Sequence, residues 1–600
     1  MDRRTAIALA LMMLVAVIFM AGRERFAPKP VVRPDTTHAA PAIGGPGASL
    51  TAAAPGAPAA LPASGAAVAS GRAAAPPVPE RLSVVETPLY RATFSSRGAR
   101  LVSFELKRYA AAYGDSGYAI HPKRRPPPGH EVDAPNRVEL SGGPTFGVDL
   151  GSGVALRSLA DAMFTPAESL DAAGAIRALT FTFQDTSGLF VRETWRAQPD
   201  TYLMDLELET RAVPAAWRIS DYSLVVRSWP LMTETVLQND LRGLRAVSLV
   251  GKDLHRDAAP GLVNKAPRVH EGVAHWAGVQ SHYFLGLVAA ASGDGHAALA
   301  EGFTRTLRPD QLALRPAGTP AVEPLAQGTL VMPLPASGAG TQRFVTYFGP
   351  SDYFALARQS RSLELERAVD LGFAWLVPIS KVLLWLLRSI NAVVRNFGIS
   401  ILVMATLVRL LLHPLNMSSM KSMRAMQRLQ PETERIKEKF KNDAAAQNTA
   451  MMALYKENGV NPTGGCLPMV LQMPLLFSFY AVIFNAIDLR QAPFVGWIHD
   501  LSAPDVLLTV GPLPIRLLPV LMAGTGFLSQ LFTPTDPRQA PTMYMMNFIM
   551  LIFFYNLPSG LVFYWTVMNL LTSLQQWLAM RSDGGVVVPA VVTPAKGRRR

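Results

Sequence analysis

A single cysteine, Cys466, stands among 600 residues, so neither an intrachain disulfide nor a multi-cysteine metal site can form. Charge is scarce as well. Asp, Glu, Lys and Arg make up 17% of the chain, against about 25% in ordinary globular proteins. With 49% apolar residues and a mean hydropathy of +0.19, the composition is that of a membrane protein. No phosphate-binding Gly-Lys-Ser/Thr loop occurs, and no nucleotide or other cofactor is expected. Carboxylates are missing from the long apolar runs; Asp488 and Asp505 sit only at their edges. Proton- or sodium-coupled carriers ordinarily place acids inside their spans and show inverted repeats, and neither is present here. A secondary transporter using an intramembrane Arg therefore stands as the alternative reading. The net charge of +13 is explained by topology and lipid attraction rather than by nucleic acid.

What is present falls into two regimes. Residues 1–26 hold basic flanks around an apolar stretch from Ala6 to Ala21. A cleaved signal needs small residues one and three positions before the cut, and Phe19 spoils that option, so an uncleaved membrane anchor is expected. Residues 27–80 are dominated by Ala, Pro and Gly without an aromatic side chain, a composition that buries no core and reads as a disordered tether. From 81 to 350 come short alternating runs, among them Leu82–Thr87, Leu101–Leu106, Leu179–Phe183, Tyr202–Leu208 and Phe344–Phe348. Period-two alternation broken by Gly and Pro predicts an antiparallel β-sandwich.

Residues 366–395 carry Leu376, Ile379, Leu383, Leu386, Leu387 and Ile390 at helical spacing, with Lys381, Arg388 and Arg395 seven apart. This spacing predicts an amphipathic helix, lying on the membrane surface by its basic stripe and Trp375 and Trp385, or docked on the β domain. Five apolar spans follow: 397–416, then four within 467–580. With the anchor they make six. The loop 417–465 holds eight Lys and Arg residues, which places it in the cytoplasm. Both termini are then cytoplasmic, including the basic tail 581–600, and the β domain is extracytoplasmic.

Arg409 lies inside the run Gly398–Leu415, with no acidic residue near it in sequence. Arginine at a helix centre costs about 2.5 to 3.5 kcal/mol on insertion scales, so either its stem snorkels to the inner interface or it faces a polar cavity. Counting 1.5 Å per residue from Phe397 puts it roughly 18 Å from the outer end, in the inner half of the span. Thr406, Gln472, Gln530, Asn547 and Asn569, the last beside Tyr564 and Trp565, are further polar or amphipathic positions in the spans. Converging, they would line a half-channel open to the cytoplasm; singly, each would be an interhelical packing bond.

The loop 417–465 reads as two antiparallel helices, with Met417, Met420, Met423 and Met426 at every third position. They either pack the hairpin's own core or offer an adaptable apolar surface. His270-Glu-Gly-Val-Ala-His275 resembles a zinc motif but has one residue too many for both histidines to share a helical face. His499 and Asp500 fit a structural turn.

The stretch Met451 to Pro474, with Asn461-Pro-Thr-Gly-Gly-Cys466 at its centre, resembles the YidC/Oxa family of membrane protein insertases. So do Leu489–Phe494, Trp497–Ser502, Pro558–Leu561 and the Arg-bearing second span; together these cover 397–580, while the N-terminal half is similar to the Gram-negative type with a large periplasmic domain. The resemblance implies a polytopic α-helical membrane protein of six spans with a five-helix insertase core and a periplasmic β-sandwich, in the bacterial inner membrane. It implies no enzyme chemistry. Nascent membrane proteins would be the clients, with the Sec translocon, the ribosome (through hairpin and tail) and membrane lipids as partners. Arg409 would face a hydrophilic groove, with Gln530, Trp565, Met473 and Pro474 as substrate-facing positions and Asn569 and Tyr564 as secondary candidates. The family often has Thr four residues before the Arg, where this chain has Ala405. Thr406 is one residue off, about 100° around the helix, and is the weakest candidate.

Overall fold

The alternating runs become strands. The computed structural model describes residues 79–111, 130–140, 145–151, 156–172, 174–229, 233–234, 236–307, 312, 320–359, 362–460, 467–510, 513–531 and 540–582. The expected anchor, nearly all of the tether, Cys466 and the tail beyond Ser582 lie outside these residues.

Among the described residues, eighteen strands between Leu82 and Pro350 join into one network whose neighbours pair antiparallel. Each of the five alternating runs falls in a strand, such as β1 (Leu82–Glu86), β10 (Leu203–Arg211) and β18 (Gly340–Pro350). In β10, Leu206 and Leu208 are buried while Asp205 and Glu207 stay half-exposed, and Arg196 of the adjacent strand reaches Glu207 at 3.2 Å. Alternation thus follows from one face lining the core and the other meeting solvent. Trp195, Trp229, Trp276, Tyr90 and Tyr222 are among the largest buried side chains. Where β14 (Arg268–Gln280) crosses β17 (Val322–Pro333), two glycines meet: a Cβ on Gly328 would lie 2.2 Å from the Gly278 carbonyl oxygen. Only the absence of both side chains permits this approach.

Short helices α1 (Leu237–Gly243), α2 (Ala259–Leu262) and α3 (Tyr353–Gln359) decorate the β domain. Then come α4 (Val377–Val394), α5 (Phe397–Leu411), α6 (His413–Arg428), α7 (Gln430–Lys439), α8 (Ala444–Glu457), α9 (Leu467–Asn485), α10 (Leu517–Leu531), α11 (Ala540–Phe554) and α12 (Ser559–Ser582). Asn396 starts α5 by accepting from Ile399 N–H at 3.1 Å, a side-chain N-cap. The helix stops at Leu411 rather than at 416, three residues before Pro414, which has no N–H to continue the ladder. The expected two-helix hairpin is three pieces, α6 to α8, and α8 buries none of its side chains. Met452 is exposed and Met417 and Met426 are half-buried.

Among the described residues one helix, α4, has both the length and the apolarity to cross a membrane; stretches of α5, α9, α10 and α11 are shorter apolar helices. The expectation of six spans is not met on this measure. The amphipathic segment also differs from its expected 366–395 limits: a 3-10 turn at Leu365–Ala368 precedes α4, whose start is set by Pro378 in its first turn. Two residues of its basic stripe turn inward instead of towards headgroups. Arg388 pairs with Asp352 at 2.9 Å and Asp488 at 2.6 Å, and Lys381 lies over the Tyr353 ring. The outward face carries Trp375, Val382, Trp385 and Val393.

The β domain is locked to the outer end of the helices. Arg490 is 4% exposed, donates to Glu234 at 2.7 Å and to the Thr233 carbonyl at 2.8 Å, and lies over the Phe284 ring. Gln491 donates to the Ala110 carbonyl at 2.9 Å. The Phe484 carbonyl, in the last turn of α9, accepts from Tyr283 Oη–H at 3.1 Å and from His282 Nε2 at 2.9 Å. A carbonyl only accepts, so Nε2 carries the proton.

Burial pushes the His282 imidazole down to about 3. A histidine depressed in the folded state binds fewer protons there than in the unfolded chain. Its contribution is therefore complete above the ordinary value of about 6.5 and is lost as pH falls from there towards 3. The unfolding temperature in detergent should fall more steeply between pH 7 and pH 5 for the parent chain than for His282→Gln. Parallel slopes would refute the role given to His282.

Candidate docking site around Arg409

The hub of the helical region is α12, which packs against α5, α9 and α10. Its start rests on the outer loop: Ser559 donates to the Asp500 carbonyl at 2.7 Å, while the Asp500 side chain accepts from Gln491 N–H at 3.0 Å and Ser502 Oγ–H at 2.6 Å. Asp500 is thus the structural turn its sequence suggests. Along α12, Thr566, Thr572 and Ser573 return their hydroxyls to carbonyls four residues back, leaving none to seek a partner in an apolar setting.

Arg409 is 8% exposed and lies at the C-terminal end of α5. Its Nε donates to Gln575 Oε1 of α12 at 2.6 Å, and Gln575 Nε2 meets His413 Nδ1 at 3.0 Å. Among the described residues no carboxylate comes within ion-pair distance of Arg409. The guanidinium is thus drawn inward against α12. Neither Gln575 nor His413 stands out in the sequence; the cue for Gln575 was available, since it lies eleven residues after Tyr564, just over three helical turns on and so on the same face.

The other candidates lie on or around α12, and Tyr564 is close enough to Arg409 to interact with it electrostatically. Tyr564 is buried and stacks on Phe479 of α9 with ring centroids 3.8 Å apart. Trp565, half-buried, packs on Phe554 of α11 at 5.3 Å. Asn569 donates to the Met522 carbonyl of α10 at 3.2 Å, and Gln530 donates across to the Met543 carbonyl of α11 at 3.0 Å. These two amides are interhelical packing bonds, though Gln530 Oε1 is buried without a partner among the described residues. Met473 and Pro474 are half-buried on α9, where Pro474 interrupts the ladder inside the helix. Thr406 bonds back to the Leu402 carbonyl of its own helix at 2.9 Å and leaves Arg409 alone. Beyond these, Leu407, Leu410, Phe548, Ile552, Leu570, Leu574 and Leu578 are exposed, an apolar surface suited to lipid.

The zinc-like motif is not a metal centre. His270 and His275 lie on a strand, β14, and bond to different acids, Asp257 at 2.8 Å and Asp294 at 3.1 Å.

A β-rich domain is fixed to a bundle of apolar helices in which a buried arginine bonds a neutral amide, an arrangement that fits an integral membrane protein. Residues 389–584 match the family model described as 60Kd inner membrane protein, and 148–386 match that described as YidC periplasmic domain. The chain belongs to the YidC family of membrane protein insertases. It is 32% identical over 510 residues to the membrane protein insertase YidC of Geobacter sulfurreducens, covering 83% of this chain and 86% of that protein. It is 32% identical over 594 residues to that of Pelobacter propionicus, covering 96% and 98%. A solved structure, "Active YidC insertase crystal structure with the first transmembrane domain resolved", is 18% identical, with a TM-score of 0.34 over 82% of this chain and 91% of that one.

Proposed function

We propose that this chain inserts hydrophobic segments into the bacterial inner membrane as an insertase, not an enzyme, acting alone or beside the Sec translocon. In this reading six spans, the anchor included, place both termini in the cytoplasm, and α6 to α8 with the basic tail meet the ribosome. The observation that carries the docking role is the buried Arg409 guanidinium, bonded to a neutral amide and, among the described residues, paired with no carboxylate. A cation in a low-dielectric setting attracts a carboxylate more strongly than it would in water. Arg409 holds a polar or acidic tail of the incoming protein transiently, while the apolar segment moves past Met473, Pro474, Gln530 and Trp565 into lipid. Removal of apolar area from water drives that movement, at about 25 cal/mol per Å².

The acids that a coupled transporter would use are engaged elsewhere. Asp488 pairs with Arg388, and Asp505 accepts from Trp497 Nε1 at 2.9 Å and from the first amides of α10.

The test is reconstitution of the full chain alone in liposomes, with a single-span substrate bearing a short acidic tail. Protease protection of the tail should fall on the order of tenfold in Arg409→Ala, the loss of one charge-assisted contact in a dry site, and be largely kept in Arg409→Lys. Unchanged protection in Arg409→Ala would show that Arg409 does not dock the tail.

A further inference from the structure

We infer that Gln575 is a positioning residue for Arg409, and that its neutrality sets the preference of the site for acidic segments. The inference rests on the docking role proposed for Arg409. The contact joins helices through residues 166 positions apart. Its sense is fixed by chemistry. A guanidinium has no acceptor, so the amide oxygen must face Arg409 and the amide NH2 must face away. There it meets His413 Nδ1 at 3.0 Å, which must present a lone pair to receive it. The order is therefore Arg409 N–H to the Gln575 oxygen, then Gln575 N–H to the His413 ring.

Each member has a distinct task. His413 is exposed, at the start of α6 just past the break after Leu411, and it holds the amide against flipping. Gln575 is half-buried and aims the Nε edge of the guanidinium at α12, which leaves the terminal nitrogens for another acceptor. Among the described residues those nitrogens make no ion pair. A carboxylate at 575 would orient Arg409 as well as the amide does but would neutralise it, because paired opposite charges at this distance cancel outward. A neutral acceptor orients without neutralising. Glutamine has the reach to bridge two groups on helices whose axes stand 8 to 10 Å apart.

This gives Gln575→Glu a signature that loss of packing cannot produce, since the two side chains have nearly the same volume. The experiment uses the full chain in proteoliposomes and two substrates alike except for the tail: one with two carboxylates, one with the corresponding amides. The readout is the ratio of tail protection, acidic over neutral. Gln575→Glu should lower this ratio about tenfold, and Gln575→Leu, which keeps the volume but removes the acceptor, should lower it by less. Thermal unfolding of each variant in detergent checks that it folds. Equal losses on both tails, or an unchanged ratio in Gln575→Glu while Arg409→Ala still abolishes it, would overturn the positioning role and leave the docking role standing. An unchanged ratio in Arg409→Ala would overturn both.

Discussion

Arg490→Met should destabilise the protein by about 3 to 5 kcal/mol, the range seen when one partner of a buried ion pair is removed. The substitution keeps most of the side-chain length but leaves Glu234, itself buried, facing an apolar group. It also strands the Thr233 carbonyl, which Arg490 bonds at 2.8 Å, and removes the cation over Phe284. A buried carbonyl and a buried carboxylate left unpaired both count against the folded state. The loss should be uneven. Because Arg490 reaches from the loop after α9 to the β domain, hydrogen exchange should rise first at 233–234, 282–284 and the last turn of α9. The double variant Arg490→Met with Glu234→Leu should regain most of the loss, since no uncompensated charge remains. If the single variant unfolds at the same temperature as the parent, the pair is not what joins the two regions.

Gly328→Ala should be comparably damaging, although it adds one methyl group. The new Cβ would lie 2.2 Å from the Gly278 carbonyl oxygen, 2.7 Å from its carbon and 2.8 Å from its nitrogen. These are backbone atoms, held by the pairing of β14 with its neighbours, so no side chain can swing away. Over-packing in cores typically costs about 1 to 3 kcal/mol and more where the backbone itself must move; here the upper end or beyond is expected. Gly261→Ala serves as the comparison, because a Cβ at Gly261 in α2 meets nothing within 4 Å. The readout is the yield of folded chain in detergent and its unfolding temperature. Should Gly328→Ala and Gly261→Ala behave alike, the close crossing of β14 and β17 is wrong.

Much of the fold was legible because each regime of the chain obeys one rule over a long stretch. Strands such as β1, β10 and β18 announce themselves by alternation, since a sheet with one buried face imposes period two. Apolar runs mark α5, α9, α10, α11 and α12 within a few residues. The turn at Asp500 was also readable, its acid standing beside Ser502, which it receives. What escaped depends on contacts between distant parts. Seven-residue spacing gives Lys381 and Arg388 a common face but does not say that Tyr353, Asp352 and Asp488 wait on the other side. The break at Leu412 is local, yet a proline five residues after an intramembrane arginine reads equally well as the end of a span. At the site, Arg409 stood out because a lone cation in an apolar run is energetically conspicuous. Gln575 did not, because a glutamine near a helix end is unremarkable until its partner is known. Asn569 and Gln530 illustrate the converse: polar residues that looked poised for a groove spend their N–H groups on neighbouring backbone.

The doubly held carbonyl of Phe484 has a mechanical meaning. It clamps the C-terminal end of α9 to the β domain, while Pro474, ten residues and so roughly 15 Å back along the helix, removes a rung from it. A rod gripped at one end and notched partway along bends at the notch. The third of α9 that precedes Pro474, bearing Met473, is then the compliant arm of a cantilever whose fixed mount is the β domain.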